Sequence, residues 1–136
     1  MKRLIFVLFV VIINGCTERY PKFVDRFIMV KNTTNKDVFF KRYFDSFVNI
    51  DTIKSNDFIY IRYNIVINEQ NYSQLPTNIE AQDSIIINFN NERYKFYDRL
   101  NVTEPQNIYN VNSYTIKGDS LIYTITQADY ENATPF

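Results

Sequence analysis

Polar and apolar residues alternate with a period of two from Phe58 to Ile67. Ile59, Ile61, Tyr63, Ile65 and Ile67 fall on one side, and Phe58, Tyr60, Arg62, Asn64 and Val66 on the other. Such a period marks a strand with one buried face. Shorter runs of strand character precede and follow it. Phe23–Lys31 and Lys36–Phe44 are separated by the turn formers Asn32-Thr33-Thr34-Asn35. Ser84–Phe89 and Arg93–Arg99 flank Asn90-Asn91, a pair able to take the positive φ angles of a tight hairpin. Ile108–Ile116 and Leu121–Thr126 flank Lys117-Gly118-Asp119-Ser120, the clearest hairpin signal in the chain. Asn68 to Gln82, with Pro76 inside it, reads as a connecting loop, and Leu100 to Gln106 breaks at Pro105.

The end of the chain departs from this pattern. Thr126-Gln127-Ala128-Asp129 has the form of a capping box, predicting one or two helical turns through Ala133. About seven short strands and no long helical period predict an all-β domain, an antiparallel β-sandwich with a short C-terminal helical turn. The alternation assigns Ile59, Ile61, Tyr63, Ile65, Ile85, Ile87, Phe89, Leu121, Tyr123 and Ile125 to the core.

The first residues follow a different logic. Lys2 and Arg3 precede an unbroken apolar run from Leu4 to Ile13, and Ile13-Asn14-Gly15-Cys16 then brings the only cysteine of the chain. As a helix this run reaches about 15 Å, half of a bilayer core, so it fits an export signal rather than a span. It resembles a bacterial lipoprotein signal, whose cysteine becomes the lipidated first residue of the mature protein. On that resemblance residues 1–15 are a signal peptide and Cys16 carries the lipid. Residues 16–22 are then a short tether, and 23–136 the β-sandwich domain. Asn14 departs from the small residue usual at its position. The rival reading is an ordinary secretory signal that leaves Cys16 as a free thiol, which an oxidising compartment disfavours.

Composition narrows the chemistry. The chain holds 15 basic and 15 acidic residues, and removal of Lys2 and Arg3 with the leader leaves 13 against 15, a net charge of −2. Such a balance gives no electrostatic case for nucleic acid. There is no histidine, so imidazole bases, Ser-His-Asp triads and most zinc sites have no candidate. With Cys16 acylated there is no cysteine nucleophile, and Gly118 is the one glycine past the leader, too few for a phosphate-binding loop. A hydrolase would have to run on carboxylates, and Glu80, Asp83, Glu92 and Asp98 are candidates with nothing in the sequence to pair them. Asp119, Asp129 and Glu131 match no calcium-loop spacing. The sequence therefore predicts no catalytic residues, no metal site and no cofactor.

The chain as a whole resembles the small uncharacterised lipoproteins of Bacteroidota. The likeness rests on Ile13-Asn14-Gly15-Cys16, on Asp83-Ser84-Ile85-Ile86-Ile87-Asn88-Phe89, and on Tyr123-Thr124-Ile125-Thr126-Gln127-Ala128-Asp129-Tyr130-Glu131-Asn132-Ala133. It implies a cell-envelope protein anchored through lipid on Cys16, at the outer membrane and facing the periplasm. Asp51-Thr52-Ile53, Asp83-Ser84-Ile85 and Asp119-Ser120-Leu121 are also similar to the O-glycosylation signal of that phylum, which would modify Thr52, Ser84 and Ser120. An Asp-Ser step handing a turn over to a strand accounts for the same residues.

With 12 Phe and 11 Tyr, the chain is rich in aromatics. They interleave with basic residues in Phe58-Tyr60-Arg62 and in Arg93-Lys95-Tyr97-Arg99. On adjacent strands facing outward these would form a platform, with Tyr60, Arg62, Lys95, Tyr97 and Arg99 as ligand-binding residues. An ordinary sandwich surface with cross-strand aromatic pairs is the simpler reading of the same residues. The expected function is a non-catalytic module that binds an envelope protein or supports an envelope complex. The alternative is a glycan- or ligand-binding module using the aromatic and basic face.

Overall fold

A computed structural model describes residues 22–67, 82–100, 106–118 and 120–136, with no account of side chains at 22–26 and 63–67. The leader, Cys16, most of the tether, the loop assigned to Asn68–Gln82 apart from its last residue, Glu80 and Asp119 lie outside the described residues. The core assignments of Tyr63 and Ile65 fall outside the described side chains.

Nine strands form two sheets among the described residues. The first has the order β4-β1-β8-β7, from β1 (Lys22–Asn32), β4 (Phe58–Ile67), β7 (Tyr114–Lys117) and β8 (Ser120–Ile125). The second has the order β3-β2-β5-β6-β9. Its strands are β2 (Val38–Phe44), β3 (Phe47–Ile53), β5 (Ser84–Phe89), β6 (Arg93–Asp98) and β9 (Thr134–Pro135). One helix, α1 (Gln127–Glu131), joins β8 to β9. The domain is an all-β sandwich, with a core built from the facing sides of both sheets. Ile28, Val30, Ile61, Leu121, Tyr123 and Ile125 come from the first sheet, and Val38, Phe40, Ile53, Ile85, Ile87 and Phe89 from the second.

The period-two reading of β4 holds on its described side chains. Ile61 is buried and Ile59 packs against the core, while Phe58, Tyr60 and Arg62 face out. Ile85, Ile87, Phe89, Leu121, Tyr123 and Ile125 are buried as their alternation predicts. Both hairpins form as well. Asn90 and Asn91 take φ of 50° and 59°, and the buried Asn88 side chain accepts from the Asn91 backbone N–H at 2.8 Å. Gly118 sits at φ 57° between Lys117 and Ser120, which pair across the second hairpin.

Four features differ from the sequence reading. Phe47–Ile53, unassigned by its pattern, is strand β3, reached through a two-residue turn in which Asp45 takes φ 43° without a glycine. The first sheet is not wholly antiparallel: β1 runs parallel to β8, from Phe27↔Ser120 to Asn32↔Ile125. Alternation is blind to strand direction, so a partner some ninety residues away could not be read from it. β1 and β2 form no hairpin, since the Asn32–Asn35 turn carries the chain from one sheet to the other.

Ile108–Ile116, the fourth, is mostly not a strand. Only Tyr114–Lys117 pairs, after a 3-10 turn at Val111–Ser113. Side chains hold the irregular part in place. Tyr109 donates to the Gln82 carbonyl at 3.2 Å, Tyr114 to the Ile108 carbonyl at 2.6 Å, and Ser113 to the Asn107 carbonyl at 2.7 Å. Burial pushes the Tyr109 and Tyr123 phenols above their ordinary range, so both remain neutral donors.

The two passages between sheets, Thr33–Asp37 and Lys54–Asp57, are stitched by one fully buried side chain. Asn32 Nδ2 donates to the carbonyls of Lys36, Ile53 and Lys54 at 2.8, 3.2 and 3.0 Å. Its Oδ1 accepts from the Thr34 backbone N–H at 3.0 Å and hydroxyl at 2.8 Å. Replacing Asn32 by Asp keeps the shape but turns an acceptor toward three carbonyls, and a buried group left so costs about 1–3 kcal/mol. We expect urea unfolding of Asn32→Asp to show a loss of at least about 2 kcal/mol at neutral pH. Ile87→Ala, at the centre of the core, is expected to lose about 2–5 kcal/mol by the same measurement.

Candidate functional site

β1 and β4 pair in register, with Phe27 opposite Arg62, Met29 opposite Tyr60 and Lys31 opposite Phe58. Because Ile28, Val30 and Ile61 point into the core, these intervening residues all occupy the outer face of the first sheet. Three rings meet there. Tyr60 lies edge-on to Phe58, with centroids 5.1 Å apart at 70°, and edge-on to Phe27 at 6.1 Å and 74°. Phe27, Phe58 and Tyr60 remain 37%, 44% and 55% exposed, although such pairing usually accompanies burial. Across the sheet, Tyr60, Met29, Ile122 and Thr115 form one row over all four strands. Lys31 and Arg62 flank the rings at opposite corners. The result is a flat apolar patch with a cation at each of two corners.

This face contains Tyr60 and Arg62 from the expected platform but not its other half. Lys95 and Tyr97 stand on β6, in the opposite sheet, so no adjacent-strand platform exists. Their orientation is also reversed. β6 pairs with β5 as Ile85↔Tyr97, Ile87↔Lys95 and Phe89↔Arg93, and Ile85, Ile87 and Phe89 all face the core. Tyr97 is therefore buried, with Tyr123 Oη donating to its oxygen at 3.2 Å. Lys95 Nζ lies 2.7 Å from the buried Asp129 carboxylate. Arg99, just past β6, is exposed and its backbone N–H reaches the Asp83 carbonyl at 3.5 Å. The outward positions of β6 belong instead to Tyr94 and Phe96. In the sequence, three polar heads in β6 suggested solvent. The structure satisfies those heads internally while their stems cover apolar neighbours.

What β6 binds is the end of the chain itself. Asp129 closes the capping box, its Oδ2 accepting from the Thr126 backbone N–H and hydroxyl at 2.7 Å each. Burial is the largest single influence on the Lys95 ammonium and would lower it. The hydrogen bond and charge of Asp129, together with the Tyr97 phenol, outweigh burial and hold Lys95 above its ordinary range. Arg93 Nη1 donates to the carbonyls of Glu131 and Ala133 at 3.1 and 3.0 Å. These contacts fasten α1 and β9 to the sheet.

The carboxylates are likewise occupied by structure. Asp83 Oδ2 accepts from the Asp45 backbone N–H at 2.6 Å, and Asp98 Oδ1 from that of Leu100 at 2.9 Å. Both acids cap turns. Among the described residues, no group of three or more acidic side chains gathers where a metal ion could be held. Of the three expected glycosylation positions, Thr52 is exposed on β3, whereas Ser84 and Ser120 are partly covered.

Glu92 takes part in the most strongly shifted surface cluster. Its Oε1 receives Lys36 Nζ at 2.7 Å, and Oε2 receives the Tyr130 hydroxyl at 2.7 Å. The Lys36 hydrogen bond, then that of Tyr130, holds the Glu92 carboxyl at about 2, below its ordinary 4.5. The folded state therefore favours ionised Glu92. That contribution is complete above pH 4.5 and is lost as the pH falls through about 2. We expect thermal melts of Glu92→Gln to show a shallower fall in stability across that acid window than the parent chain. An unchanged acid limb would assign the sensitivity to other groups.

Comparison with protein families, curated proteins and solved structures finds no match for this chain, so a functional reading rests on its own residues.

Proposed function

We propose that this chain is a cell-envelope lipoprotein, held at the outer membrane through lipid on Cys16 and facing the periplasm. Its β-sandwich serves as a non-catalytic module that binds an envelope protein. The observation that carries the binding role is the exposed cluster of Phe27, Phe58 and Tyr60 on the outer face of the first sheet. Aromatic rings held by their neighbours lose little side-chain freedom on binding, which suits them as interface anchors. A glycan module is the second reading, because Arg62 and Lys31 flank the rings as hydroxyl donors would. Sugar stacking wants ring faces open and level. Angles of 70° and 74° between these rings favour a partner that inserts apolar side chains among them.

The anchor is tested by intact mass and fractionation. The parent chain should carry acyl chains on Cys16 and begin there, and Cys16→Ser should be misprocessed or released from the membrane fraction. A water-soluble mature protein with a free thiol would defeat this part of the proposal.

The face is tested by capture from envelope fractions with purified protein. Phe58→Ala and Tyr60→Ala together should weaken capture of the partner at least about tenfold, as interface anchors do. Stability should change by less than about 1.5 kcal/mol, the scale of an exposed aromatic pair. Capture that survives the double variant but is lost on adding soluble glycan would favour the sugar reading.

A further inference from the structure

We infer that β3 is a self-complementary edge through which two copies of this chain pair antiparallel about a two-fold axis at Ile50. Among the described residues, β3 pairs only with β2, and it forms one border of the second sheet. The other borders differ. β7 and β9 are four and two residues long, and β4 carries Arg62. Natural edges are kept apart by shortness, by charge or by proline. β3 has seven residues, no proline and no basic side chain, and its single acid, Asp51, is held by Arg42 Nη2 at 2.6 Å. Three of its four apolar residues are strongly exposed, Phe47 at 75%, Val48 at 47% and Ile50 at 56%, while Ile53 is buried.

The occupant follows from the order of residues in the strand. Opposed residues of an antiparallel pair point to the same face, so a symmetric self-pairing must centre on a residue. Centred on Asp51, it would set two carboxylates opposite each other, which is unfavourable. Centred on Asn49, it would place Phe47 against the partner's Asp51. Centred on Ile50, all seven residues find matched partners. Ile50 meets the partner's Ile50, Val48 the partner's Thr52, and the Asn49 amide the partner's Asp51 carboxylate. Phe47, 75% exposed in a single chain, then lies opposite the partner's Ile53, which is already buried in its own core. The apolar surface that pairing removes from water is therefore that of Phe47, Val48 and Ile50. The two second sheets would become one continuous ten-stranded sheet. An interface of this kind is isologous and closes at two copies.

The register is tested by short thiol-to-thiol crosslinking of the full chain in detergent, in a Cys16→Ser background. Ile50→Cys should link to itself. Val48→Cys alone and Thr52→Cys alone should not, since each copy lies roughly 13 Å along the strand from its twin. A mixture of those two variants should link. Ile50→Lys, which opposes like charges at the axis, should raise the dimer dissociation constant at least about tenfold in sedimentation equilibrium, with its circular dichroism unchanged. A chain that remains monomeric at all concentrations overturns the inference. So does self-linking of Val48→Cys or Thr52→Cys, or protection of β3 only when another envelope protein is added.

Discussion

The fold depends on a buried amide. In a sandwich whose first two strands lie in different sheets, the chain must cross the core boundary at once, and it does so over Thr33–Asp37. Backbone carbonyls at such a crossing are taken from water without a ladder to receive them. Asn32 supplies the missing donors to three of them, from Lys36, Ile53 and Lys54, and so joins the first crossing to the second. Its neighbours extend the junction. Thr33 donates to the Ile125 carbonyl at the end of β8, and Asn90 reaches Asp37 from the β5–β6 turn. Asp37 in turn holds Lys54 and Ser55. Four segments distant in sequence therefore converge at one corner. The spacing of the sheets there is set by hydrogen bonds as much as by apolar packing.

A second polar device closes the other side. β6 presents Arg93, Lys95 and Tyr97 inward, where an apolar strand would have completed the core, and the chain end supplies their partners. Asp129 is buried and Lys95 half-buried, so losing Lys95 would leave the buried carboxylate without its counter-charge. Such a pair adds little net stability over an apolar contact, yet it specifies where α1 docks. Tyr130 completes the seam, edge-on to Phe89 at 5.6 Å, with Lys36 and Arg93 cations each 5.6 Å from its ring centroid. Of the basic and aromatic residues on β6 that resembled a ligand face, Arg93 and Lys95 are thus spent on holding the C-terminus and Tyr97 on Tyr123.

Among the described residues, the outsides of the sheets and the border at β3 offer surface to partners. A flat face with edge-on rings binds by shape and apolar contact, and a bare strand edge binds by its backbone. The two modes are independent, so a dimer formed through β3 would still expose two aromatic faces, one per copy. Anchored as proposed, the chain would gain from that arrangement, because paired sites raise the effective concentration at a membrane.

The sequence by itself determined most of the strands, both hairpin turns, the capping box and, over Phe58–Arg62, the buried side of β4. Each rests on contacts within a few residues: alternation at period two, Asn90-Asn91 accepting positive φ, and Thr126 reaching Asp129. The aromatic cluster was half visible, in Phe58 and Tyr60, because they share a strand. Phe27 joined them only through the β1–β4 register. Tertiary structure decided the parallel pairing of β1 with β8, the crossing at Asn32 and the inward turn of β6. It also decided the irregular path of 107–113, where buried tyrosines found carbonyl partners. β3 was obscured because its alternate residues are nearly all exposed, so burial left little imprint on its pattern. Local periodicity records which side of a strand meets water. It carries no record of which distant strand lies beside it, or of whether an inward-facing cation will find a buried acid from the far end of the chain.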